Sequence, residues 1–261
     1  MNKTDLIEER AGSGLDGFQL KLLALLSMFI DHFAAIVLEQ YLSNAGVVNL
    51  WESARNFGEP AGRLAACYLL MRLVGRLAFP IYCFFIVEGF FHTSRLPRYL
   101  LRLLIFAFLS EVPFDLAFED RWFYPGYQNV YFTLLIGLLT ISGIHRLVQT
   151  KIPRALGVLT CTFAGAAAAE LLHTDYGAIG VCVIVILYCG HGGSRKRSMG
   201  LSCLALLFTS YMEVTALVDV WLVNRYNGKR GRSLKYFFYG FYPAHILSLY
   251  LLRLWISSCG L

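Results

Sequence analysis

The sequence predicts an all-α protein, a polytopic membrane helix bundle of about eight to nine transmembrane helices, some short or broken. Three observations carry this. Of the 261 residues, 57% are hydrophobic and only 15% are charged, so no water-soluble surface can be built from them. The apolar residues gather into stretches near the ~20 residues that carry a helix across a bilayer, where each backbone N–H and C=O must be paired within its own segment. Basic connections alternate with connections that lack a basic excess, the pattern left by membrane topology.

The polar start, residues 1 to 17, holds Asp5, Glu8, Glu9 and Arg10 and lacks the shape of a cleavable signal, so it reads as a cytoplasmic tail. Residues 18–261 read as a single integral membrane domain. Apolar spans are predicted over Phe18 to Tyr41, Gly75 to Phe91, Tyr99 to Phe118, Val130 to Val148, Ala155 to Leu172, Tyr176 to Gly190 and Phe237 to Ile256. Met199 to Val223 carries Glu213 and Asp219 and reads as one tilted span or two short helices turning near Tyr211. With the N-terminus inside, the loops bearing Arg95 and Arg98, Arg146 to Arg154, and Arg195 to Arg197 are cytoplasmic. The basic stretch Arg225 to Lys235 joins them only if an even number of crossings precedes it. That favours two short helices and nine spans.

Seven cysteines lie scattered through apolar segments with no C-x-x-C and no paired histidine spacing, so they read as packing residues and no metal site is expected. Nothing in the chain points to a nucleic-acid partner; the partner it requires is the lipid bilayer.

Polar residues inside a membrane are costly there and are functional candidates by default. Lys21 and His32 stand eleven residues apart, close to three helical turns, so both project from one face with His32 about 16 Å further in. Asp31 points about 100° away and is free to pair with another helix. Arg76 is expected at the mouth of the second span, with Glu88 and His92 one turn apart at its other end. The third span carries Arg102, then Glu111 and Asp115 at i and i+4 on one face. Gln128 and Asn129 open the fourth span, with Thr133 a turn on, and Asp175, Tyr176 and Gly177 open the sixth; helix capping explains these about as well as function does. In the last span Tyr242 and His245 share a face, and Pro243 is expected to kink the helix between them. Just before it, Tyr226-Asn227-Gly228-Lys229-Arg230-Gly231 combines glycines, which let backbone approach a ligand, with cations suited to phosphates.

The segments KLLALLSMFIDH, GRLAFPIYCFFIVEGF, YLLRLLIFAFLSEVPFDLAF, QNVYFTLLIGLL, DYGAIGV, YNGKRG and KYFFYGFYPAHILSLYLL, in this order, resemble the TraX family, named after a conjugation protein that acetylates the N-terminal amine of pilin. The Lys21 to His32 spacing also resembles the basic-x10-His pattern of larger transmembrane acyltransferases. The resemblance implies acyl transfer from acetyl-CoA, with no metal, to an amine or hydroxyl of a peptide, glycan or small molecule, in the bacterial cytoplasmic (inner) membrane. His32 is then expected as general base. Lys21, Arg76, Lys229, Arg230 and Lys235 are expected to hold the phosphates of the coenzyme A thioester. Asn129, Tyr242 or His245 would polarise its carbonyl, Glu88, Glu111 and Asp115 would orient the base or hold a cationic acceptor, and Asp31 is counted with the catalytic candidates without being assumed to orient His32. Intramembrane His, Asp, Glu and Arg also line transporters, so a proton-coupled or substrate-binding transporter is the alternative.

Overall fold

The computed structural model describes residues 14–259, which are helical throughout with no strand among them. Most of the expected cytoplasmic tail, residues 1–13, lies outside the described residues. The helices are α1 (Gly17–Phe33), α2 (Glu39–Asn44), α3 (Leu50–Ser53), α4 (Pro60–Gly75), α5 (Ala78–His92), α6 (Leu96–Glu119), α7 (Val130–Val148), α8 (Arg154–Leu171), α9 (Gly177–Cys189), α10 (Arg195–Leu206), α11 (Val218–Asn224) and α12 (Lys235–Ser258). Among the described residues, three apolar helical stretches are long enough to cross a membrane: Gly17–Asn44, Pro60–His92 and Val130–Val148.

Asp16 starts α1 with a reciprocal cap, its carboxylate accepting from Gln19 N at 2.8 Å while the Gln19 side chain accepts from Asp16 N at 2.9 Å. The helix then passes without a break through a π-helical turn, Ala34–Leu38, into α2. The extra residue in that turn has a use. In a regular helix Asp31 and Glu39, eight residues apart, would point about 80° away from each other; one inserted residue brings them to within about 20°. Both therefore face α4, where Asp31 meets Arg72 at 2.9 Å and Glu39 accepts from Tyr68 Oη at 2.7 Å.

The second span is longer than expected. It begins at Pro60, not Gly75, and breaks at Arg76–Leu77 between α4 and α5. Arg63 and Arg72 lower the apparent hydropathy of α4, which hides it from a search for apolar runs. Neighbours satisfy the carbonyls freed at the break: Thr215 Oγ1 donates to Leu73 O at 2.7 Å, and Ser27 Oγ to Val74 O at 2.7 Å and Gly75 O at 3.2 Å. A broken helix is tolerated in a membrane on this condition. Gly75 is required for the close approach, because a Cβ there would overlap the Asp31 carboxyl.

Contacts between distant parts of the sequence place the basic connections around Arg195 and Arg225 to Lys229 at the end of the bundle where α1 begins. Leu15 N donates to Arg225 O at 2.9 Å, Gly17 N to Lys229 O at 2.8 Å, and Arg195 Nη1 to Tyr226 O at 2.7 Å. At the opposite end Arg253 of α12 reaches Ala117 O at 3.0 Å and pairs with Asp120. Residues Met199 to Val223 form two short arms turning between them: α10, then a turn, then a 3₁₀ segment Tyr211–Leu217 leading into α11. α10 is about 18 Å long and the second arm about 25 Å, both short of the ~30 Å hydrocarbon core. The two arms form a hairpin whose ends both lie at the basic end.

Candidate functional site

Two histidines from opposite ends of the sequence meet inside the bundle. His32 Nδ1 lies 2.7 Å from His245 Nε2, with the rings parallel and 4.9 Å apart between centroids. His245 Nδ1 lies 2.7 Å from Phe241 O. A carbonyl can only accept, so His245 Nδ1 carries the proton there, and the Nε2 of a neutral His245 is an acceptor. His32 must then donate from Nδ1, which leaves its Nε2 as an unprotonated lone pair. Phe118 and Tyr242 hold the His32 ring edge-on at 5.9 and 5.8 Å.

α12 continues through Pro243 as one helix from Lys235 to Ser258. Pro243 has no N–H to give Tyr239 O, one turn back, and Tyr131 Oη donates to that carbonyl at 3.0 Å. The proline thus ties α12 to α7 beside Tyr242, which is 3% exposed.

Asp31 is not turned toward His32. Its carboxylate is held by Arg72 at 2.9 Å and Arg76 at 2.7 Å, and Arg76 also reaches Glu213 Oε1 at 3.2 Å. The expected place of Arg76, at the mouth of the second span, is corrected here. It lies at the break within the second span, committed to two carboxylates. Arg72 and Glu213 are the partners that sequence reasoning missed, since a helical period gives a residue's face but not what faces it.

Asn129, expected as one of the groups polarising the carbonyl, makes structural hydrogen bonds instead. Its side chain is 0% exposed and spent on structure: Oδ1 accepts from Tyr131 N at 3.0 Å as a helix cap, and Nδ2 donates to Ala107 O at 2.9 Å and to Glu111. Asp115, on the same face of α6 as Glu111, accepts from Tyr124 N at 2.7 Å. Glu88 lies at the basic end, 3.4 Å from His191 and 4.0 Å from His92, and does not orient His32. Asp175 is placed by a loop in which His173, Tyr176 and Gly177 all have positive φ (50°, 62° and 43°). Strain of that kind collects at functional sites. Tyr127 Oη donates to the Asp175 carboxylate at 2.8 Å, and Tyr176 stacks on Phe79 at 3.7 Å.

The basic end is built around the loop Tyr226–Gly231. Its glycines meet backbone needs: Gly228 turns with φ +79°, and Gly231, at φ +67°, packs where a Cβ would overlap Asp16. Lys21 lies over the Phe85 ring at 4.4 Å, Arg230 donates to Ser233 at 3.0 Å, and Lys235 lies 5.8 Å from the Tyr236 ring. Among the described residues none of Lys21, Lys229, Arg230 or Lys235 makes an ion pair. Arg102, whose Nε is buried with no hydrogen-bond partner, likewise makes no ion pair among those residues.

These features define a class: a polytopic helical membrane protein with a histidine pair inside the bundle and unpaired cations at one end. The TraX protein family matches residues 16–253, and the chain belongs to that family. It is 29% identical over 257 residues, covering 89% of this chain and 93% of the relative, to the "Probable fimbrial assembly protein FimC, serogroup H1" of Dichelobacter nodosus. No solved structure matches.

Proposed function

We propose that the chain is an inner-membrane acyltransferase, N-terminus cytoplasmic, that moves an acetyl group from acetyl-CoA to an amine or hydroxyl acceptor. The fimbrial relative and the family's link to pilin modification support a surface-fibre subunit as the acceptor class. Seven helical spans and the two hairpin arms make up its nine membrane segments. The observation that carries the reading is the 2.7 Å His32–His245 contact with its fixed proton order.

In this reading the cytoplasmic cations Lys21, Arg102, Lys229, Arg230 and Lys235 hold the donor's phosphates. The thioester reaches inward toward His32. His32 Nε2 takes the proton of the acceptor as its nitrogen or oxygen attacks the thioester carbonyl, and Tyr242, whose ring packs edge-on against His32, is the candidate to bond the oxyanion. When the C–S bond breaks, the departing thiolate takes that proton from His32 and leaves as free coenzyme A. No covalent enzyme intermediate and no metal is needed.

The broken second span and the charges at its break are features that transporters also use. Membranes containing the protein, incubated with labelled acetyl-CoA and fractionated, separate the readings. Transfer of label to a protein, glycan or small molecule supports the acyltransferase; label nowhere, together with no thermal stabilisation by coenzyme A, supports a transporter.

A further inference from the structure

Four charged side chains surround the break in the second span and compensate one another. Asp31 and Glu213 bring two negative charges, Arg72 and Arg76 two positive, and every ion pair is made between different helical elements. Arg76 is the shared member. One guanidinium nitrogen holds Asp31 of α1 at 2.7 Å, and another holds Glu213 of the hairpin at 3.2 Å. Its Nε donates to Arg72 O at 3.2 Å, so the group is also fixed to its own helix. Asp31 is the residue before His32. Any rotation of α1 that moves one moves the other.

We propose that Arg76 is a positioning residue for His32, acting through Asp31, and that Glu213 makes the hairpin part of the same device. This rests on the reading of His32 as the base. A side chain stands about 5–6 Å from its helix axis, so a turn of α1 by 20° carries the imidazole about 2 Å. That displacement opens the 2.7 Å contact with His245. Two forks on one carboxylate, from Arg72 and Arg76, resist such a turn. Gly75 and the Ser27 hydroxyl bring α1 against the break closely enough for both to reach. Reaching Glu213 as well, the guanidinium couples the tip of the hairpin to the depth at which the base sits.

The test compares Arg76→Lys with the double variant Arg76→Gln/Glu213→Gln, which removes one charge of each sign and leaves Asp31 with Arg72. Acetyl transfer in membranes and disulfide cross-linking are both read. For cross-linking, Phe29→Cys and Phe241→Cys are placed in a chain whose seven native cysteines are replaced by Ala; these rings lie 6.4 Å apart across α1 and α12. In the double variant kcat falls about tenfold to a hundredfold, the scale of a misplacement near 1 Å. KM for acetyl-CoA stays unchanged, the cross-link yield falls severalfold, and Arg76→Lys recovers part of both. A rise in donor KM with kcat and cross-linking unchanged would return Arg76 to phosphate binding and overturn the proposal. Should wild-type membranes transfer no label, the acyltransferase reading fails, and the cross-link yield alone still decides whether Arg76 positions α1.

Discussion

Replacing His245 with Phe removes one acceptor and leaves the ring's volume nearly filled. In the wild type His32 Nδ1–H is bound at 2.7 Å to His245 Nε2, and His245 is fixed by Phe241 O at 2.7 Å. A hydrogen bond between neutral groups contributes about 0.5–1.5 kcal/mol, and a buried donor left unsatisfied costs about 1–3 kcal/mol. His32 in the variant either carries that cost or turns over to protonate Nε2, the atom needed as base. With tenfold in rate for each ~1.4 kcal/mol, kcat falls about 10- to 100-fold. His245→Gln, whose amide oxygen can take the place of Nε2, retains most of the activity. The assay is transfer of labelled acetyl groups in membranes, with equal protein verified by immunoblot. Because the two rings act as one unit, the double variant His32→Ala/His245→Phe is no slower than His32→Ala alone. Full activity of His245→Phe, or additive losses in the double variant, would refute the role of His245 in fixing the proton on His32.

Asn129→Ala removes a helix cap and leaves Ala107 O and Glu111 without their donor, so stability falls by about 2–4 kcal/mol; a thermal melt in detergent measures it, and any remaining folded protein keeps its kcat. A kcat loss without a stability loss would restore Asn129 to the chemistry. Arg230→Glu combined with Lys235→Glu raises the KM for acetyl-CoA at least tenfold with kcat little changed, and the wild-type KM rises with salt. An unchanged KM would remove the basic end from donor binding.

The helices and the two histidines were legible in the sequence because each is a local property. A run of apolar residues gives a span, and the spacings Lys21 to His32 and Tyr242 to His245 give shared faces. Which polar groups meet is a tertiary matter. Asp31 has an obvious face, yet its partners Arg72 and Arg76 come from an element whose first half is too polar to stand out, and Glu213 comes from a hairpin nearly 140 positions further on. The inserted residue at Ala34–Leu38 shifts the register after His32, so a fixed 100° step misplaces everything beyond it, including Glu39. Asn129 shows the reverse case: a polar residue opening a span has a local capping use, and the structure finds it fully engaged in it.

The central claim is that His32 is the base. Membranes carrying the wild type and His32→Ala, matched for protein and given labelled acetyl-CoA, test it most directly. The account predicts a loss of about 10²- to 10⁴-fold in acceptor labelling, with coenzyme A binding retained. Labelling by His32→Ala at the wild-type rate would contradict it.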